Sequence, residues 1–76
     1  MAEYRITIKP SAAKELDRLP DNVGSRAVKK IAALASEPRL SGVKKLKGEP
    51  ERWRLRIGDW RVIYSIDDRN RIVDVI

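Results

Sequence analysis

Apolar and polar positions alternate with a period of two in three stretches of this chain, and recur with helical spacing in two others. Tyr4-Arg5-Ile6-Thr7-Ile8-Lys9 alternates and is rich in β-branched residues, which predicts a strand ended by Pro10. Ser11 stands where it can cap a helix over Ala12–Leu19, with Ala12, Leu16 and Leu19 on one face and Pro20 closing it. Asp21 stands where it can cap a second helix running to Ser36, whose apolar stripe is Val23, Ala27, Ile31, Leu34 and Ala35. Glu37-Pro38 is its stop signal. The two stripes predict an antiparallel helical pair laid on the apolar face of a sheet.

The stretch Arg52–Ile66, RWRLRIGDWRVIYSI, consists of two alternating runs joined by Gly58-Asp59, a dipeptide suited to a two-residue hairpin turn. With those two residues as the loop, Ile57 pairs with Trp60, Arg56 with Arg61, Leu55 with Val62, Arg54 with Ile63 and Trp53 with Tyr64. Strand side chains alternate between faces. Trp53, Leu55, Ile57, Trp60, Val62 and Tyr64 therefore share one side, and Arg52, Arg54, Arg56, Arg61 and Ile63 share the other. One face suits a core. The other is either a solvated polar surface or a site awaiting an anion, since guanidinium groups offer planar paired donors that match phosphate.

Between helices and hairpin, Pro38–Gly42 reads as a loop, Lys44–Lys47 as a short strand or an extended basic segment, and Gly48–Glu51 as a turn. Asp67-Asp68-Arg69-Asn70 predicts a second turn, in which the carboxylates serve backbone hydrogen bonding rather than acid–base chemistry. Arg71–Ile76 reads as a strand still running at position 76, which suggests a shortened gene product. The expected fold is α+β: an N-terminal strand and a two-helix antiparallel hairpin packed on a curled antiparallel sheet of three to four strands. Residues 1–76 are expected to form one domain.

Composition narrows the chemistry. The 76 residues include neither cysteine nor histidine, which excludes disulfides, thiolate zinc sites and a Ser-His-Asp triad. No apolar run approaches the ~20 residues of a membrane span, and no signal peptide is visible, so a cytoplasmic protein is expected. The net charge of +6 is unevenly placed. Residues 44–61 hold seven basic and three acidic side chains, against eight and five in residues 1–43 and two and three in the remainder. A polyanion, nucleic acid or an acidic protein segment, is the natural partner of such a patch.

In element order and in three motifs, PSAAKELDRLP, EPRLSGVKKLKG and WRLRIGDWRVIYSIDD, the chain resembles the RelE/ParE toxins of bacterial toxin–antitoxin systems. The resemblance spans nearly all of it. RelE-type members are metal-independent endoribonucleases that cut messenger RNA in the ribosomal A site and are neutralised by an antitoxin; ParE-type members inhibit DNA gyrase. The resemblance places catalytic roles on Arg54, Arg56 and Arg61, and contacts to RNA on Lys44, Lys45, Lys47 and Arg52. It implies no cofactor or membrane. The partners it implies are a cognate antitoxin, in an assembly that could be a heterotetramer, and the ribosome with its messenger.

The sequence also departs from the family. RNA-cleaving members supply a further arginine and a tyrosine or similar residue from a C-terminal tail, for which these 76 residues have no counterpart. Weak or absent cleavage by this form is therefore expected. Arg54 stands where the best-studied type has lysine, and a guanidinium stays charged where an amine can lose its proton. Tyr64 and Tyr4 are expected on apolar faces, away from a proton-donating role. Three other readings stay open: a gyrase inhibitor, a nucleic-acid-binding module without chemistry, and an inert remnant that only docks an antitoxin.

Overall fold

The hairpin forms in the register its apolar pattern dictates. In the computed structural model, which describes residues 3–48 and 52–76, β3 (Arg52–Ile57) and β4 (Trp60–Asp67) pair antiparallel. Ile57 lies opposite Trp60, Arg56 opposite Arg61, Leu55 opposite Val62, Arg54 opposite Ile63 and Trp53 opposite Tyr64. Gly58 takes φ 59° at the first loop position, the conformation that a type II′ turn asks of a glycine.

The remaining elements are β1 (Arg5–Ile8), α1 (Pro10–Asp17), α2 (Asp21–Ala33), β2 (Lys44–Lys45) and β5 (Ile72–Val75). They complete one sheet in the order β1-β5-β4-β3-β2. Three or four antiparallel strands are expected from the sequence; the sheet has five, and β1 runs parallel to β5. The fifth is β2, whose two residues pair with Arg54 and Trp53. The parallel pair follows from connectivity. α1 and α2 carry the chain from β1 at one edge to β2 at the other, and the meander β2–β5 then returns to lie beside β1. The turn expected over 48–51 falls mainly on residues 49–51, outside the described residues.

Both helix starts differ from expectation. Pro10, not Ser11, opens the first helix: Lys9 is the N-cap residue and provides no side-chain bond. A proline at the first helical position needs no acceptor and already has the right φ, so the cap moves one residue earlier. In the same way Pro20 is the N-cap residue of α2 and Asp21 lies inside the first turn, where its charge meets the helix dipole. The second helix ends at Ala33 rather than Ser36. The N–H groups of Leu34, Ala35 and Ser36 bond three residues back, to Ile31, Ala32 and Ala33, and tighten the chain out of α-geometry.

Ala12 from α1 and Ala27 and Ile31 from α2, with Leu34 just beyond it, pack on Leu55, Ile57, Val62, Tyr64, Ile66, Val73 and Val75 from one face of the sheet. Each buried Leu, Ile or Val contributes about 1.5–3 kcal/mol. Tyr64 is fully buried, and its hydroxyl donates to the Pro38 carbonyl at 2.7 Å, which pins the loop after α2 to the core. Both helices lie on this face, and the arginine side of the hairpin is left uncovered by them.

Two glycine substitutions should move stability in opposite directions. A Cβ on Gly24, inside α2, would meet Leu19 Cβ at 3.9 Å, an ordinary contact. Gly24→Ala should therefore raise unfolding free energy by about 0.5–1 kcal/mol. Gly58→Ala puts a side chain in the left-handed region and should lower it by about 1–2 kcal/mol. Urea denaturation of both variants measures the two shifts.

Candidate nucleic-acid interface

Because opposed residues in a ladder share a face, the observed register places Arg52, Arg54, Arg56 and Arg61 together on the uncovered side, with Ile63 and Ser65 between them. Lys44 joins them opposite Arg54. Lys45 does not: it lies opposite Trp53 and leaves the sheet on the helix side. Lys47 is exposed in the turn that follows β2. Of the basic positions singled out in the sequence, four arginines and one lysine thus form the face. Two lysines flank it.

This surface is arranged to take up negative charge. Among the described residues the ion pairs are Lys9–Asp74 and Arg39–Asp68, and neither involves the arginine face. Two like-charge pairs, Arg56–Arg61 and Lys44–Arg54, stand directly opposed, which costs about 0.2–1 kcal/mol each. Arg56 Nε donates to the Gly58 carbonyl at 2.9 Å, so the turn itself aims that guanidinium and leaves its terminal nitrogens free. Arg52, Arg56 and Arg61 are exposed, while Arg54 is half-buried at the centre of the patch. Asp74, on the same side of the sheet, is engaged by Thr7 Oγ1 at 2.8 Å and Lys9 Nζ at 3.4 Å.

Neither tyrosine joins this face, and Asp67, at the far end of β4 on the same side, is committed elsewhere. Burial pushes the Tyr64 phenol up to about 12, against the opposing pull of Arg39, and its hydroxyl is spent on Pro38. Asp67 serves its turn, accepting from the Asn70 backbone N–H at 3.0 Å and from Asn70 Nδ2 at 2.9 Å. Those two bonds hold its carboxyl below the usual range. Asp68 does more than its turn position implies. Arg39 grips it with two parallel bonds of 2.8 and 3.1 Å, and Tyr4 donates to it at 2.6 Å. The Arg39 guanidinium also lies 5.3 Å from the centre of the Trp53 ring. This clamp ties the start of β1, the loop before β2 and the β4–β5 turn together. It is absent from the periodic pattern because its members lie 29 and 64 positions apart.

Trp60 also departs from its expected place. Its register belongs to the apolar face, yet it is 47% exposed at the hairpin end. Beside it opens a cleft of about 400 Å³, lined by Leu16 of α1 and Leu19 just beyond that helix, by Trp60, Arg61 and Val62 of β4, and by Ile76 among others.

Three kinds of comparison agree on relatives. The family model described as the ParE toxin of the type II toxin–antitoxin system parDE matches residues 6–76. The chain is 35% identical over 75 residues to Toxin RelE of Mycobacterium tuberculosis, covering 96% of this chain and 76% of that protein. RelE in the archaeal RelE–RelB complex of Pyrococcus horikoshii superposes with a TM-score of 0.85 at 31% identity, over 95% of this chain and 88% of that one. The intact E. coli RelBE toxin–antitoxin complex contains a chain matching at TM-score 0.83 and 27% identity, over 96% and 90%.

The clamp carries a pH signature. Hydrogen bonds from Arg39 first and Tyr4 second hold the Asp68 carboxyl down at about 2, from an ordinary 3.8. A depressed carboxyl stabilises the fold in full above its ordinary value and loses that contribution as pH falls from there through about 2. With side chains 47% and 55% exposed the effect is modest. A carbon-detected NMR titration should find the Asp68 midpoint near 2, and Arg39→Met should return it toward the ordinary value.

Proposed function

The chain belongs to the ParE toxin family of type II toxin–antitoxin systems, and from that premise we propose that it is a RelE-like toxin: an endoribonuclease that cuts messenger RNA in the ribosomal A site and so blocks translation. The observation that carries this reading is the arginine face, which the hairpin register assembles from Arg54, Arg56 and Arg61. It is supported by the identity to a RelE toxin and by the close superposition on RelE chains.

RNA cleavage without a metal proceeds by in-line attack of a ribose 2′-oxygen on the neighbouring phosphorus. The new O–P bond forms as the bond to the leaving 5′-oxygen breaks, and negative charge accumulates on the phosphorus centre between the two. Arg54, Arg56 and Arg61 hold fixed positive charge where that charge develops; one well-aimed donor is worth roughly 3–4 kcal/mol. Paired donors also orient the phosphate for attack. Lys44 and Arg52 extend the grip along the backbone, while Lys45 and Lys47 meet RNA or the ribosome beside the face. Guanidinium groups stay charged, so these arginines neither remove the 2′ proton nor supply the proton that the 5′-oxygen takes. A site built on electrostatics depends on a substrate already held in a reactive shape. The decoding centre provides one, which gives ribosome dependence a physical reason.

RelE and RelB form the complexes from P. horikoshii and E. coli. By the same kinship, a cognate antitoxin neutralises this chain, and an acidic antitoxin segment suits its net charge of +6.

A second reading is favoured by the description of the matching family model, which is that of ParE. In it the same fold binds DNA gyrase and the arginine face takes no part in chemistry.

One experiment separates the two. Primer extension on translating ribosomes should show breaks within A-site codons, weak ones, since the arginine face holds charge but moves no proton. Arg61→Ala should reduce the cleavage rate about 10²–10³-fold, and the triple replacement of Arg54, Arg56 and Arg61 by alanine should abolish growth arrest. Toxicity that survives the triple replacement, with DNA-damage signalling in place of arrested translation, overturns the nuclease reading in favour of the gyrase one.

A further inference from the structure

Large aromatic side chains are costly to leave in water, and Trp60 is left there at 47% exposure. It stands beside the Gly58-Asp59 turn and forms part of the cleft wall. Arg61, the next residue, leaves β4 on the opposite face but lines the same cleft. Pairing of β4 with β5 reaches only to Tyr64 on this side, with one further backbone bond from Ile76 N–H to the Ile63 carbonyl. Beyond that point the edge of β4 is open. The cleft therefore wraps round the strand edge and joins the apolar side of the sheet to the row of arginines.

Building on the RNA reading above, we infer that Trp60 and this cleft form a subsite for one unpaired nucleobase whose phosphate lies on Arg61 and Arg56. Single-stranded RNA is held by two alternating contacts, guanidinium to phosphate and aromatic plane to base. Both are available within two adjacent residues of β4. A volume of about 400 Å³ lies within the range of small-ligand pockets. The polar positions of the lining suit a nucleotide as well. Arg18 can donate to a purine's N7 or O6 edge, and Glu15 can accept from an exocyclic amine, so base preference resides in this pair. The charged side chains of the cleft, Arg18 and Arg61 against Glu15, leave a net positive charge, which favours an anionic occupant over an uncharged apolar segment.

The chain has two tryptophans, so in a Trp53→Phe background Trp60 is the sole indole reporter. Short oligoadenylate, oligouridylate and an abasic ribose-phosphate oligomer of equal length, each end-labelled with fluorescein, are titrated at low salt, with and without a second substitution at Trp60, affinity being read from the label's anisotropy and base contact from Trp60 emission where it is present. Base-bearing oligomers should quench Trp60 and the abasic oligomer should not. Trp60→Ala should weaken base-bearing oligomers about ten-fold or more while leaving the abasic one unchanged, and Trp60→Phe should retain most of the affinity. Glu15→Gln should alter the ranking of adenylate over uridylate.

Equal binding of all three oligomers with a silent Trp60 overturns the base subsite and leaves the arginine interface standing. Absence of salt-sensitive binding to any of them overturns the subsite, while the function proposed above stands or falls by primer extension on ribosomes. If Trp60 responds only to an acidic amphipathic peptide and RNA does not displace that peptide, the cleft is a protein-docking groove and the inference falls.

Discussion

Sliding one strand past its neighbour by a single residue sends all of that strand's side chains to the opposite face. Here that slip would drive guanidinium groups from β3 toward Ala27, Ile31 and Leu34, at several kcal/mol for each charge removed from water. It would also expose Leu55 and Ile57, each worth about 1.5–3 kcal/mol where it lies. The two like-charge pairs of the native register, Arg56–Arg61 and Lys44–Arg54, cost far less, about 0.2–1 kcal/mol apiece. The apolar side of the hairpin thus dictates its charged side. A surface that repels itself is held together by the core behind it.

This division of labour runs through the whole sheet. One face carries the contacts that stabilise the fold, with α1 and α2 laid across it. The other is free to be shaped by electrostatics. The buried Tyr64 hydroxyl and the Arg39–Asp68–Tyr4 clamp connect the halves, because both fix the loop that leads from α2 into β2 and hence into Lys44. Trp60 lies at the boundary. Its strand position assigns it to the core, where Ile57 directly opposite is buried, but Trp60 itself stays 47% exposed.

The hairpin, its register and the arginine row were legible in the sequence because each rests on local periodicity: the alternation fixes the faces, and Gly58-Asp59 fixes the offset. The helical stripes were legible for the same reason. Their ends were not, since Pro10 and Pro20 act through a fixed φ and a missing donor rather than through a side-chain cap. The pairing of β1 with β5, the split of Lys44 from Lys45 and the clamp on Asp68 depend on residues far apart in the chain, for which periodicity carries no signal. The cleft beside Trp60 is a matter of shape, set by how far α1 and β5 reach along β4.

β1 has β5 as its neighbour in the sheet, and the hydrogen bond from Thr7 to Asp74 joins positions 67 residues apart. In a chain made from its N-terminus, the first strand therefore waits, unpaired, until residues 72–75 have been translated. The hairpin and helices can assemble earlier from local contacts, while this closure bears the entropy of the longest loop in the molecule. On the reading that its target is the ribosome, the nascent polypeptide cannot complete its sheet until β5 has cleared the particle that made it.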